Sequence, residues 1–280
     1  MDNADKLKVV QNEGLKILVE VDRICKKHNI KYFLESGTLL GAVRHKGFIP
    51  WDDDVDIALL RDDYERLIKV LQEELSDQYF LQMHQTDNNF PFGFARILAK
   101  KYGIPSKNKF KTGLCLDIFP IDNANDNILV HKINIFLIKV IQGLSKSRVA
   151  IELSNYNNIF WKIAVAITMT IGKLFPLKFL IMAQKKIAVS SNQKKTKYKC
   201  IYSYPFYYLD RLFPSYVYDE IELLDFEGYK FPAYKNWDEV LTIIYGNYMT
   251  LPPVEERVPS HSLDKVRFID ITDNVLNSNI

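Results

Sequence analysis

The segment Asp52-Asp53-Asp54-Val55-Asp56-Ile57-Ala58-Leu59-Leu60 places two opposed demands on any fold that contains it. Four aspartates fill five positions, and apolar residues follow at once. Carboxylates are seldom fully buried without a partner, and charges this close repel one another. The apolar run, in contrast, has to enter a core. A strand starting near Asp54 meets both demands. Side chains two apart on a strand share a face, so Asp54 and Asp56 point together while Val55 and Ile57 pack the other way. Two such carboxylates at a strand end make a hard oxygen site suited to Mg²⁺ or Mn²⁺. Mg²⁺ is commonly held by one or two carboxylates plus substrate phosphates, so the pattern points to a phosphate-bearing ligand. A solvated acidic turn accounts for the run as well. An EF-hand does not, because Ile57 stands where the loop needs Gly and Asp63 stands where Glu normally closes it.

The pattern of the whole chain is that of a mixed α/β (α+β) protein. Val9, Leu15, Leu18, Val21 and Ile24 recur at helical spacing over residues 5–29. Lys31 to Leu34 reads as a strand, and Ser36-Gly37-Thr38 as a turn opening a short helix. After the aspartates, Asp62 or Asp63 is expected to cap a helix to about Leu75. Tyr79 to His84, Phe94 to Ala99 and Leu114 to Phe119 are candidate strands, with a polar loop or hairpin over Lys100 to Lys111. Asp122 is expected to cap a turn. Arg96, in a strand among Phe94, Ala95 and Ile97, calls for an anionic partner, either an aspartate of the site or a substrate phosphate. Arg44, His45 and Lys46 precede the aspartates and either contact phosphate or form a solvated basic turn. Trp51 is expected to pack beside the acids.

The passage from Glu35 to Ile57, ESGTLLGAVRHKGFIPWDDDVDI, resembles the LicD family of phosphotransferases. Further stretches carry the resemblance: GLCLDIFPID around Asp117, FPFGFARI from Phe90, FEGYKFPAY from Phe226, and YGNYMTLPP from Tyr245, followed by Arg257 and His261. Together they cover roughly residues 20–125 and 225–265. Two positions depart from the family pattern: Thr38 stands where Gly or Ser is usual, and Asn247 where Asp is. The resemblance implies a nucleotidyltransferase-type core, a small mixed sheet flanked by helices, with a basic helical insertion. It implies that Asp54, Asp56 and Asp117 are catalytic and bind Mg²⁺ or Mn²⁺. It implies that Gly37, Thr38, Arg44, His45, Lys46, Arg96 and His261 bind substrate, the Gly37-Thr38 turn through its backbone N–H groups. The implied reaction moves a phospho-alcohol, phosphocholine from CDP-choline first among them, to a sugar hydroxyl of a glycan or lipid-linked oligosaccharide such as a lipopolysaccharide or teichoic acid precursor. Ribitol or glycerol phosphate transfer and nucleotidyl transfer are alternatives, and a nucleotide- or lipid-binding module with a decayed site is one of another class.

Charge divides the chain. Residues 127–200 hold twelve Lys and one Arg against Glu152 alone, about +12, which leaves about −9 for the rest of a chain of net charge +3. Long aliphatic runs separate these lysines, which argues against nucleic acid as the partner. Lys132, Lys139 and Lys146 recur every seven residues, on one helical face. No stretch reaches about eighteen apolar residues without a charge, so no membrane span is expected. The expected partner is an anionic membrane surface reached through residues 127–200, with lysines snorkelling to lipid phosphates. Residues 1–125 and 201–280 are read as one catalytic unit with 126–200 inserted. Cys25, Cys115 and Cys200 form no CxxC pair. With a polar N-terminus, they suggest reduced thiols and a cytoplasmic protein, peripheral on the inner face of the membrane.

Overall fold

The computed structural model describes residues 3–104, 108–149, 158–259 and 271, with the backbone alone at 3, 160–162 and 164. Helix α1 (Asn3–Lys27) packs Ile17, Leu18, Val21 and Ile24 fully into the core. Strand β1 (Phe33–Leu34), helix α2 (Ser36–His45) and strand β2 (Asp56–Leu60) follow, then helix α3 (Arg61–Glu74). Strands β3 (Tyr79–Gln82), β4 (Ala95–Gly103) and β5 (Gly113–Asn123) complete a sheet of order β1-β2-β5-β4-β3. Only β2 and β5 run parallel in that path; every other pairing is antiparallel. Short strands β6 (Tyr198–Cys200) and β7 (Phe213–Pro214) extend the sheet beyond the far end of β5. A separate hairpin, β8 (Ile221–Phe226) and β9 (Tyr229–Tyr234), turns at Glu227 and Gly228, both at positive φ. Gly at the second position suits such a turn. Helix α7 (Trp237–Tyr245) closes the described core.

The structure corrects several local expectations. Regular pairing of β2 begins at Asp56, not Asp54. Asp62 and Asp63 lie in the first turn of α3, whose cap position is Leu60 without a side-chain bond. Their carboxylates favour the helix start through its dipole instead. Asp122 caps no turn. It lies within β5, fully buried, and receives Arg61 Nε and Nη2 at 2.9 and 2.6 Å and Asn192 Nδ2 at 2.7 Å.

Helices α4 (Ile128–Ser147), α5 (Ile159–Leu174) and α6 (Leu177–Ala188) form a layer against the sheet domain. Asn127 caps α4 through Oδ1, which accepts from Leu129 and Val130 N–H. The inner face of α4 carries His131, Ile135, Ile138, Gln142 and Ser145. The row Lys132, Lys139, Lys146 does not form one lipid-facing stripe. Lys139 pairs with Asp210 at 3.1 Å, and Lys146 lies over the rings of Phe92 and Phe206. By length and composition α4 is apolar enough to cross a membrane. Its inner face instead holds the chain: Gln142 Nε2 donates to the Tyr202 and Tyr204 carbonyls at 3.3 and 3.1 Å, and His131 Nδ1 lies 3.3 Å from the Tyr202 hydroxyl.

The Arg61–Asp122 fork ties α3 to the sheet in a dry setting. Removing one partner of such a pair strands a buried charge and typically costs about 3–5 kcal/mol. Arg61→Ala should lower the urea-unfolding free energy at neutral pH by about that amount, and Arg61→Ala/Asp122→Ala should recover part of it. Equal losses in the single and double variants would contradict the pairing.

Candidate active site

Parallel pairing of β2 and β5 brings the acids together. Asp56 and Asp117 are register partners at the first paired position. Asp117 N–H donates to the Val55 carbonyl at 2.8 Å, and Asp56 N–H donates to Thr38 Oγ1 at 2.9 Å. Thr38 is therefore more than a turn residue, since its hydroxyl fixes the start of β2. Leu39 N–H makes the first α-helical bond of α2, to the Glu35 carbonyl. The N–H groups of Gly37 and Thr38 stand in the turn before it, where a helix has no acceptor of its own to offer.

A cleft of about 360 Å³ opens over these strand ends. Asp52, Asp54, Asp56 and Asp117 line one side, beside Ser36 and Gly37. Phe119, Tyr204, Tyr208 and Tyr245 line the other, together with Arg211. Asp54 and Asp56 share this cleft while Val55 and Ile57 are buried behind it. The alternation read from the sequence thus holds even though β2 begins two residues later. Gly37 has a steric reason: a Cβ there would lie 2.5 Å from Asp52 Oδ2.

The acidic side is electrostatically strained. Burial, then repulsion from Asp54 and Asp53, pushes the Asp52 carboxyl up to about 7. Burial, then the Asp117 and Asp54 charges, raises Asp56 well above the usual carboxylate range. Asp117 is differently placed. Arg96 grips it with a fork, Nε to Oδ1 at 2.5 Å and Nη2 to Oδ2 at 2.8 Å. The motif around Arg96 explains its precision: the rings of Phe90 and Phe94 lie against the guanidinium at 6.0 and 5.8 Å. Arg96 therefore meets an aspartate of the site, one of the two partners expected of it.

The acids suit a divalent cation. The donor set is all carboxylate oxygen, the choice of Mg²⁺ and Mn²⁺, and the raised Asp52 and Asp56 carboxyls lack a counter-charge that such an ion would supply. The tightest grouping among the described residues is Asp52, Asp53 and Asp54, whose oxygens lie within 4.8 Å of one another. It differs from the expected set of Asp54, Asp56 and Asp117, and Asp54 is common to both.

Other expected substrate contacts lie elsewhere. Arg44 Nη1 donates to the Tyr248 carbonyl at 2.6 Å, tying α2 to the segment after α7. Burial, then the Arg44 charge, lowers the His45 pKa. Lys46 is the left-handed cap of α2 and its carbonyl accepts from Glu227 N–H at 3.0 Å. Arg44, His45 and Lys46 are not among the cleft-lining residues. Trp51 lies under the Arg257 guanidinium, 5.6 Å from its ring centre. His261 falls outside the described residues.

The structure adds residues that the sequence reading passed over. Glu35 is buried and receives the hydroxyls of Tyr204, at 2.7 Å, and Tyr234. Burial raises its pKa, against the lowering effect of these bonds. Arg211 stacks on Tyr208 at 4.0 Å, and its Nη1 is buried with no hydrogen-bond acceptor. It is the one cation among the cleft's described lining residues. The quoted motif begins at Glu35 but gave it no role, because its tyrosine partners are distant in sequence, and Arg211 lies in no quoted motif.

Paired carboxylates on parallel strands, with a helix start beside them, are an arrangement that phosphoryl transfer can use. Comparison with known proteins agrees. The family described as LicD/FKTN/FKRP, nucleotidyltransferase domain, matches residues 29–139. The lipopolysaccharide cholinephosphotransferase LicD of Haemophilus influenzae is 29% identical over 257 residues, 88% of this chain and 92% of that protein. An uncharacterized protein of Rickettsia prowazekii is 33% identical over 42% of this chain and 36% of its own. Human ribitol 5-phosphate transferase FKRP is 53% identical over 34 residues, 12% of this chain and 7% of that protein. The family likeness thus lies on residues 29–139, and the likeness to the Haemophilus protein runs over most of the chain.

The raised Asp52 carboxyl yields a prediction with a definite sign. A carboxyl whose pKa rises on folding stabilises the fold in its protonated form. That contribution is full below the ordinary value of 3.8 and is lost as pH rises through about 7. In metal-free buffer, Asp52→Asn should therefore melt higher than wild type at pH 8, with the gap closing toward pH 4. Identical melting curves across that range would remove the electrostatic account. Gly37→Ala should displace the Asp52 carboxylate and lower turnover at least about tenfold, with a thermal midpoint close to wild type.

Proposed function

We propose that this chain transfers a phospho-alcohol from a CDP-alcohol to a sugar hydroxyl of a cell-surface glycan precursor, with phosphocholine from CDP-choline as the first donor to try. The single observation that carries the reaction class is the cleft's pairing of four carboxylates with one guanidinium, Arg211, whose Nη1 is buried with no acceptor. The choice of choline draws support from the near full-length likeness to the Haemophilus protein. The acceptor is taken to be a lipopolysaccharide- or teichoic-acid-type precursor.

In this reading the acceptor oxygen forms a bond to the phosphorus that bears the alcohol. The bond from that phosphorus to the bridging oxygen breaks, CMP leaves and the hydroxyl proton is released. Mg²⁺ or Mn²⁺, held by Asp54, Asp56 and Asp117 with Asp52 adjacent, would neutralise phosphate charge and orient the reacting oxygens. The protein's own groups do the rest. Gly37 and Thr38 N–H groups at the start of α2 bind a donor phosphate. Arg211 Nη1 takes a phosphate oxygen, since an unmet buried donor costs about 1–3 kcal/mol until an acceptor arrives. Its planar fork suits phosphate better than an ammonium would. Arg96 holds Asp117 in one orientation and so keeps the acidic side from splaying apart.

The test mixes purified protein and Mg²⁺ with CDP-choline, CDP-ribitol and CDP-glycerol, adds acceptor glycans, and follows CMP release. CMP formed with one CDP-alcohol supports the reading and names the headgroup. Pyrophosphate formed from a nucleoside triphosphate instead would point to nucleotidyl transfer. Asp54→Asn and Asp117→Asn should each cut kcat at least about a hundredfold, with folding intact by circular dichroism. Near-normal kcat in either variant would overturn the acid assignments. Arg211→Ala should weaken CDP binding by calorimetry about tenfold or more while leaving cytidine binding alone. Equal losses for both ligands would reduce Arg211 to a structural role.

A further inference from the structure

The outer surface of the helical layer is apolar where a water-facing surface should not be. On α4, Leu129, Ile133, Phe136 and Val140 point away from the core, and Phe136 is 65% exposed. On α5, Ile159, Ile163, Ile167 and Ile171 recur every four residues, all exposed, and Leu174 ends the row at 74%. Across the Pro176 break, Phe175 and Phe179 stack with near-parallel rings 6.2 Å apart, both exposed. These helices pack on one another through real contacts. Gly172 is held so close to α4 that a Cβ would lie 2.6 Å from Ser147 Oγ, and Arg148 Nη1 donates to the Gly172 and Phe175 carbonyls at 2.6 and 2.7 Å. The exposed rows are thus the outer face of an ordered layer and not ends left over from packing. Contiguous apolar surface on this scale marks an interaction site.

A second cleft, also about 360 Å³, lies where this layer meets the sheet domain. Lys109, Arg148, Lys178 and His84 line it, and no carboxylate does so among the described residues. His84 Nδ1 is buried there without a hydrogen-bond partner. Burial, and then the nearby Lys178 charge, lower the His84 pKa, against a hydrogen bond with the Phe90 backbone. Asp87, the acid that acts on His84, is engaged by Gln82 Nε2 and by the N–H groups of Asn89 and Lys111. Pro176 and Leu177 form one wall, between exposed Phe175 and Phe179. A cationic cleft therefore opens beside the apolar corner.

We propose that this face docks on an anionic phospholipid surface, with the α4–α5 rows and the Phe175–Phe179 corner entering the headgroup boundary and a lipid phosphate seated in the Lys109–Arg148–Lys178 cleft. Apolar burial and a basic rim together are what an interfacial helix layer uses, and neither alone gives stable binding. Each cation near an anionic leaflet is worth roughly 1 kcal/mol. The assignment of roles differs from a simple lysine stripe: Lys139, Lys146 and Lys185 are engaged within the protein, while Lys173, Lys178 and Lys186 are exposed on α5 and α6. α4 lies along the surface rather than across it, because its other face holds Tyr202 and Tyr204 in the protein.

Sedimentation of the intact protein with vesicles of phosphatidylcholine, with or without phosphatidylglycerol, tests this. Binding to the phosphatidylglycerol vesicles is expected at low salt, weakening at least about tenfold at 1 M salt, where the Debye length falls to about 3 Å. Phe136→Glu with Ile167→Glu should abolish it, and so should Lys109→Glu with Lys178→Glu. All four positions are away from the catalytic cleft, so CMP release with a soluble acceptor should match wild type in both variants. That match also shows each variant to be folded. No vesicle binding at low salt would overturn the proposal, as would wild-type binding by either variant. So would tight binding of soluble glycerol phosphate with none to vesicles, which would make the cleft a site for free phosphate. A dimer in lipid-free buffer that the Phe136→Glu/Ile167→Glu variant converts to monomer would assign the face to a second copy of the chain instead.

Discussion

The parallel contact between β2 and β5 is the constraint from which the rest of the cleft follows. It is the one parallel pairing in the β1-β2-β5-β4-β3 path, and it starts with two aspartates in register. Two carboxylates at adjacent strand positions repel, so the pairing is unfavourable at that point unless charge is supplied from outside the pair. The protein supplies half of it. Arg96 arrives opposite Asp117 on β4, also in register, and closes a bidentate fork. Asp56 receives no such partner, and its carboxyl is driven upward as a result. The asymmetry leaves Asp117 anchored and Asp56 dependent on what enters the cleft.

Most of the motifs that carry the family resemblance serve this arrangement at one remove. FPFGFARI builds the aromatic bed for Arg96. FEGYKFPAY makes the β8–β9 turn, where Glu227 accepts from Phe48 N–H at 2.9 Å and pins the loop that leads to the aspartates. A Cβ on Gly47 would strike that same carboxylate at 2.2 Å. YGNYM brings Tyr245 to the cleft wall, ends α7 at Gly246 with φ of +67°, and offers the Tyr248 carbonyl to Arg44. Asn247, a departure from the family pattern, is exposed and is not among the residues lining the cleft.

How much of this was legible in the sequence depended on whether the signal was local. Alternation around Asp54 to Ile57 gave the acidic face, and helical spacing gave α1, because each rests on neighbours along the chain. Asp117 was legible through the family resemblance, its apolar flanks marking only a strand, and Arg96 through the incongruity of a guanidinium in an apolar strand. Glu35 was not legible. A lone acid before a Gly-Thr turn looks like an ordinary helix cap, and it is one, accepting from Ser36 N–H at 3.1 Å. Its second task, holding Tyr204 and Tyr234, depends on partners 169 and 199 residues away. Asp122 misled for the converse reason. Followed by Asn123, Ala124 and Asn125, it looks like a turn residue until Arg61 is brought to it by the sheet.

The helical layer shows the same limit in another form. A seven-residue lysine repeat says that the side chains share a helical face, but not what that face meets. On α4 the row runs along the border between a polar inner face and an apolar outer one, so its members meet different surroundings: an acid for Lys139, two aromatic rings for Lys146. The inner face then does something the sequence did not suggest. Gln142 and Gln184 both donate to the Tyr202 carbonyl, and Gln142 also reaches that of Tyr204. Tyr204 in turn forms part of the cleft wall and donates to Glu35. The layer that presents apolar side chains outward is thus also the buttress of the catalytic wall. Anything that binds the outer face of α4 acts on a helix two hydrogen bonds away from Glu35, at the start of α2. One short segment, Tyr202 to Tyr204, thus links the helical layer to the cleft wall.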